Sequence, residues 1–150
     1  MTASDACMVD SNILVYAHDP RNPEQQQVAK MAFHTLSLQR RAALSVQCLT
    51  EFFNTVTRKF PIPVPVEDGQ MLVEQYSQAA TVLPITLDVV RDTLDATSRY
   101  QMSMWDALVW AVANQNGIRT ILTQDAQSQP SIGGIQYINP FAPGFDVYAL

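Results

Sequence analysis

Short apolar runs alternate with stretches of helical spacing along almost the whole chain, and this alternation limits the available folds more than any other feature. Ala6 to Val9 is apolar and stops at Asp10-Ser11-Asn12, after which Ile13, Leu14, Tyr16 and Ala17 have the spacing of a brief helix. Asp19-Pro20-Arg21-Asn22-Pro23 is turn chemistry, and Glu24 to Leu38 carries Val28, Met31, Ala32, Leu36 and Leu38 at near-helical spacing. Ala42 to Val46 reads as a second buried strand, leading into a helix with Leu49, Phe52, Phe53 and Val56 on one face. Proline at every second position from Pro61 to Pro65 removes amide donors and enforces an extended connector. Glu67 to Ala80 then resumes a helical pattern, Thr81 to Ile85 is strand-like, and Thr86 is placed to cap a helix reaching about Tyr100. Ser103 opens a further helix through Asn116, with Gly117 as its stop. Arg119 to Thr123 and Ile135 to Ile138 are a fourth and a weaker fifth strand, and the tail from about residue 140 is irregular.

Such alternation predicts an α/β fold of three layers, a mostly parallel sheet of about five strands between helices, with right-handed crossovers. A length of 150 residues with 47% hydrophobic content suits one domain spanning 1–150 with a single core. No repeat or low-complexity tract divides it.

In open sheets of this kind, sites form in the crevice at the carboxyl ends of the strands. Asp10 and Asp125 stand just past strand ends, while Glu51 and Asp106 lie early in helices that begin on that same edge. Each has a local explanation: Asp10 as a helix cap, Asp106 in a capping box with Ser103, Asp125 as a turn residue. Glu51 is harder to dismiss, because Cys48, Leu49, Phe52 and Phe53 surround it and the chain has only four glutamates. Together, four carboxylates at one edge make a pocket of negative charge that a divalent cation or proton uptake would stabilise. Hard cations such as Mg²⁺ or Mn²⁺ prefer oxygen ligands, leave positions for phosphate oxygens and activate water. The pattern therefore points to a metal-dependent phosphodiesterase that needs no side-chain nucleophile. His18 and His34, the two histidines, have no evident catalytic partner.

Nine Lys plus Arg against fourteen Asp plus Glu give a net charge of −5, so no overall basic field attracts nucleic acid. Arg40 with Arg41 and Arg58 with Lys59 are local basic pairs suited either to phosphate contact or to solvated surface. Cys7 and Cys48 lie in apolar segments without a disulfide framework, which fits a reducing compartment. The amino-terminal residues lack a targeting pattern, and the longest apolar run, Ala107 to Ala113, is too short to span a bilayer. The expectation is a cytoplasmic protein with no membrane partner.

Read in order, five short strings resemble the motifs of PIN-domain ribonucleases of the VapC toxin type, across nearly the whole chain. They are Val9-Asp10-Ser11-Asn12-Ile13-Leu14-Val15-Tyr16-Ala17, Leu49-Thr50-Glu51-Phe52, Ser103-Met104-Trp105-Asp106-Ala107-Leu108, Leu122-Thr123-Gln124-Asp125 and Ile138-Asn139-Pro140-Phe141. The resemblance implies strand order 3-2-1-4-5, an RNA substrate, a cognate antitoxin and assembly as a homodimer. It also implies that Asp10, Glu51 and Asp106 hold Mg²⁺ or Mn²⁺, that Asp125 completes the site, and that Asn12 and Thr123 orient carboxylates or water. Gln124 departs from the family pattern, in which an acidic residue often precedes the last aspartate.

Two other readings follow from the same residues. A solitary or degenerate PIN module without toxin activity would use its helices or the proline connector as partner surfaces. An aspartyl phosphatase would use Asp10 as nucleophile, but it needs a second acid two residues on, where Asn12 stands.

Overall fold

The structure, a computed structural model, describes residues 5–126 and 130–150. Strands β1 (Cys7–Val9), β2 (Ala42–Ser45), β3 (Thr81–Leu83), β4 (Thr120–Leu122), β5 (Ser131–Ile132) and β6 (Ile135–Ile138) form one sheet in the order β3-β2-β1-β4-β6-β5. All pairs are parallel except β5 with β6. The five expected strands therefore take the expected order. Between β4 and β6 in the chain lies β5, a two-residue strand that pairs on the outer side of β6 and is absent from the sequence reading. Its turn is Gly133-Gly134, with φ of 56° and 81°, a left-handed pair that only glycine adopts freely and that joins antiparallel strands tightly.

Side chains alternate across the strands and split the core in two. Met8, Ala43, Ile121 and Ile135 point to the face covered by α5 (Leu87–Tyr100) and α6 (Met104–Gln115). Cys7, Val9, Ala42, Leu44 and Leu122 point to the other, under α1 (Ser11–Tyr16), α2 (Pro23–Leu38), α3 (Val46–Asn54) and α4 (Val66–Ala79). Because both faces are covered, the parallel strands are apolar at nearly every position. Helix α2 buries Ala29, Ala32, Phe33 and Leu36, whereas Met31 and Leu38, expected on its apolar face, are exposed.

Two strands pass directly into helices. Asp10 caps α1 and Ser45 caps α3, each in extended backbone with a side-chain oxygen accepting an amide hydrogen bond. Ser45 thus ends β2 one residue before the expected Val46. After α3 the chain widens into a π-helical turn, Thr55–Lys59, closed by the Phe60 amide on the Thr55 carbonyl at 3.2 Å. Beyond β6 the irregular segment folds back on the core, with Phe141 packed on Tyr16 at 4.8 Å between ring centroids, and ends in a 3₁₀ turn, Val147–Ala149. Among the described residues no helix is long and apolar enough to cross a membrane.

Candidate active site

Strands β2, β1 and β4 are neighbours and run in the same direction, so whatever follows them emerges along one edge. Asp10 follows β1, α3 carrying Glu51 follows β2, and Thr123-Gln124-Asp125 follows β4. The first turn of α6 brings Asp106 to the same edge. All four predicted acids line one cavity of about 750 Å³, together with Ser11, Asn12, Gln47, Lys59 and Trp105. Asp10, Asp106 and Asp125 also border a smaller gap of about 10 Å³ with Thr123 and Tyr137.

Hydrogen bonds hold each acid in place. Asp10 accepts from the Ser11 amide at 2.7 Å and from the Thr123 hydroxyl at 2.9 Å. Glu51 accepts from the Ser11 hydroxyl at 2.8 Å and, through its other oxygen, from the Gln47 amide group. The Ser103 hydroxyl donates to Asp106 at 2.9 Å and caps its backbone amide at 3.2 Å. Asp125, the exposed member, accepts from Asn12 Nδ2 at 3.3 Å. Asn12 and Thr123 thus stand where they can orient the acids, with Asn12 Nδ2 also donating to Thr123 Oγ1 at 3.1 Å. Gln124 is engaged as well: its amide donates to Asn12 Oδ1 at 3.1 Å and its side chain to the Tyr16 hydroxyl at 2.7 Å.

The electrostatics follow from crowding like charges at a half-buried edge. Burial pushes the Asp10 carboxyl up to about 6, with Glu51 and Asp106 adding to the rise against the lowering hydrogen bonds from Thr123 and Ser11. Cys48 below is pushed up to about 12 by burial, with Asp10 and Glu51 contributing, and is an inert thiol. Among the described residues no three His, Cys, Asp or Glu side chains are grouped closely enough to hold a single ion between them. The acids are spread around the cavity wall, each tied to neutral donors.

Sequence reasoning gave no role to Ser11, Gln47, Trp105 and Tyr137. Gln47 was findable, lying one helical turn before Glu51 on the same face. The two histidines, read as having no catalytic partner, lie outside the cavity: His18 packs on Phe52 and bonds the Tyr76 hydroxyl at 2.8 Å, and His34 is exposed. Of the basic pairs, only Lys59 reaches the cavity, while Arg40 lines a separate cleft with Ala42 and Thr81.

The family model for the PIN domain matches residues 7–133. The chain belongs to the PIN-domain family. No curated protein matches the sequence significantly. Solved structures share this PIN domain's fold at low identity. DNA-bound VapBC from Salmonella typhimurium is similar at 17% identity and TM-score 0.62, with 93% of this chain and 99% of that chain covered. VapBC2 from Rickettsia felis, bound to a promoter DNA fragment, is similar at 16% identity and TM-score 0.65, covering 89% and 98%. The sarcin-ricin loop cleaving toxin VapC20 of Mycobacterium tuberculosis is similar at 17% identity and TM-score 0.56, covering 77% and 87%.

Proposed function

We propose that this PIN domain is a divalent-metal-dependent endoribonuclease of the VapC toxin type. The observation that carries the reading is the meeting of Asp10, Glu51, Asp106 and Asp125, far apart in sequence, around one cavity at the carboxyl edge of the sheet. The likeness to VapBC complexes and to an RNA-cleaving toxin supports the same assignment.

The donor set fits Mg²⁺ or Mn²⁺, being all carboxylate oxygen with amide and hydroxyl groups behind it. Mg²⁺ keeps several waters and takes only one or two carboxylates, so a site of this class does not need three acids pressed together beforehand. Asp10, Glu51 and Asp106 would hold the ion, directly or through water, with Asp125 completing the site. When bound, such an ion lowers the pKa of coordinated water and polarises the phosphodiester.

The chain's own groups do the rest. Thr123 and Asn12 fix the oxygens of Asp10 and Asp125, and Ser11 and Gln47 fix those of Glu51. Lys59, the cation on the cavity wall, faces the incoming phosphate and offsets part of the acidic field. Trp105, 63% exposed and lining the same cavity, offers a flat apolar surface to an unstacked base. A single-stranded or looped RNA suits such a cavity, because its bases splay away from the backbone and leave both phosphate and base accessible. A cognate antitoxin would restrain the activity, and the active unit would be a homodimer.

The reading is tested by adding Mn²⁺ to purified protein and following both melting and internal cleavage of single-stranded RNA. The melting temperature should rise as the ion binds the native state, and cleavage should appear only with metal. An unchanged melting temperature at saturating Mn²⁺, without cleavage, would leave a binding module as the better reading.

A further inference from the structure

Two buried side-chain oxygens lack a hydrogen-bond partner among the described residues, Gln47 Oε1 and the Tyr137 hydroxyl, and both belong to residues bordering the acid cavities. Buried polar atoms are almost always paired, so a lone pair of exceptions at one place calls for a cause. Gln47 donates to Glu51 through Nε2, so its place in the site is already set, although Oε1 stays without a partner among the described residues. The Tyr137 hydroxyl bonds directly to none of the described residues.

Strand pairing puts Tyr137 where it is. Its residue lies opposite Ile121 in the β4–β6 ladder, so its ring shares the face of Met8 and Ile121 and runs beneath the first turn of α6. There it borders the gap of about 10 Å³ shared with Asp10, Asp106, Asp125 and Thr123, a volume at the lower bound for a single water. Both oxygens of Asp10 already accept hydrogen bonds, from the Ser11 amide and the Thr123 hydroxyl. Asp125 is held by Asn12. Asp106 and Asp125 each accept through Oδ2, from Ser103 and Asn12, so the Oδ1 of each is left over; Asp125 is exposed to solvent, and Asp106 is the half-buried one, with its charge acting on the Tyr137 hydroxyl. Burial together with the nearby Asp106 and Asp10 raises the phenol above its ordinary pKa, and it therefore stays a donor.

We infer that Tyr137 is a positioning residue of the acid site, whose buried hydroxyl donates through one water to Asp106 and holds that carboxylate in its ion-binding orientation. This rests on the metal-dependent reading above. Neither the motifs nor the family match points to Tyr137. The site would then have a floor supplied by β6 as well as walls supplied by α3 and α6. Partners behind a metal ligand commonly change its affinity by roughly 10- to 100-fold.

Tyr137→Phe removes one oxygen and keeps the ring. In the variant, Mn²⁺ affinity measured by calorimetry should fall by roughly 10- to 100-fold. In EDTA, its melting temperature should stay close to that of wild type, since one water-bridged hydrogen bond adds little to the ion-free fold. Equal Mn²⁺ affinity in the two proteins would overturn the role of Tyr137 and leave the nuclease reading standing. A loss of affinity accompanied by a lower melting temperature in EDTA would also overturn it, by showing a structural hydroxyl. Failure of wild type itself to bind Mn²⁺ would overturn both.

Discussion

Thr123 Oγ1 donates to Asp10 Oδ2 at 2.9 Å, tying together the carboxyl ends of two adjacent strands whose residues lie 113 positions apart in the chain. The same hydroxyl accepts from Asn12 Nδ2 and from the Asp125 amide, both at 3.1 Å. A single buried oxygen therefore sets the relative positions of two acids and the amide between them.

Thr123→Val keeps the shape and removes all three contacts. It should cost about 1–3 kcal/mol of stability, since Asn12 and Asp10 lose a buried partner. Mn²⁺ affinity should fall by roughly 10- to 100-fold. Chemical denaturation and calorimetric titration of the same preparation would measure the two effects.

Asp10 gives the metal-free protein a distinctive pH response. Its carboxyl is raised from 3.8 to about 6 in the fold, so the native state binds its proton more tightly than the unfolded chain does. The associated stabilisation is complete below the unfolded value and disappears as pH rises through about 6. Its size is roughly 3 kcal/mol. In EDTA, the stability difference between Asp10→Asn and wild type should therefore grow in favour of the variant from pH 4 to pH 7. A constant difference over that range, read by denaturant melts, would show that burial does not raise the Asp10 carboxyl.

Much of the fold was legible because buried parallel strands read as unbroken apolar runs, and because Asp10, Thr86 and Ser103 are cap residues at real helix starts. The edge strand β5 also carried a signal, the Gly133-Gly134 pair, that the reading passed over. The π turn at Thr55–Lys59 had none, since an i to i+5 bond follows from packing rather than from local preference. The acids were readable from their place beside strand ends. Their supporting groups were less so: Tyr137 depends on the register of β6 against β4, which no single stretch of sequence encodes.

Lys59 and Trp105 both line the cavity that the proposed RNA path would follow. Lys59→Ala should weaken binding of single-stranded RNA and reduce the steepness of its salt dependence by about 0.7. Trp105→Ala should weaken binding on the order of 10-fold at fixed salt, through lost stacking, with the salt dependence intact. Fluorescence anisotropy in Ca²⁺ at several salt concentrations would separate the two.

A core substitution supplies the contrast. Phe52 is fully buried on the helix that carries Glu51 and packs against His18 and Tyr76. Phe52→Ala should destabilise by about 3–5 kcal/mol and shift the whole unfolding curve. Below its melting transition, the variant should still bind Mn²⁺, because none of the acids changes.

Cleavage of a single-stranded RNA by wild type, Asp10→Asn and Asp106→Asn, with Mn²⁺ and with EDTA, tests the central claim most directly. Wild type should cut internally with Mn²⁺ and stop with EDTA, while both variants keep their circular dichroism and lose cleavage. Undiminished cutting by both purified variants, or cutting by wild type that EDTA leaves untouched, would contradict it.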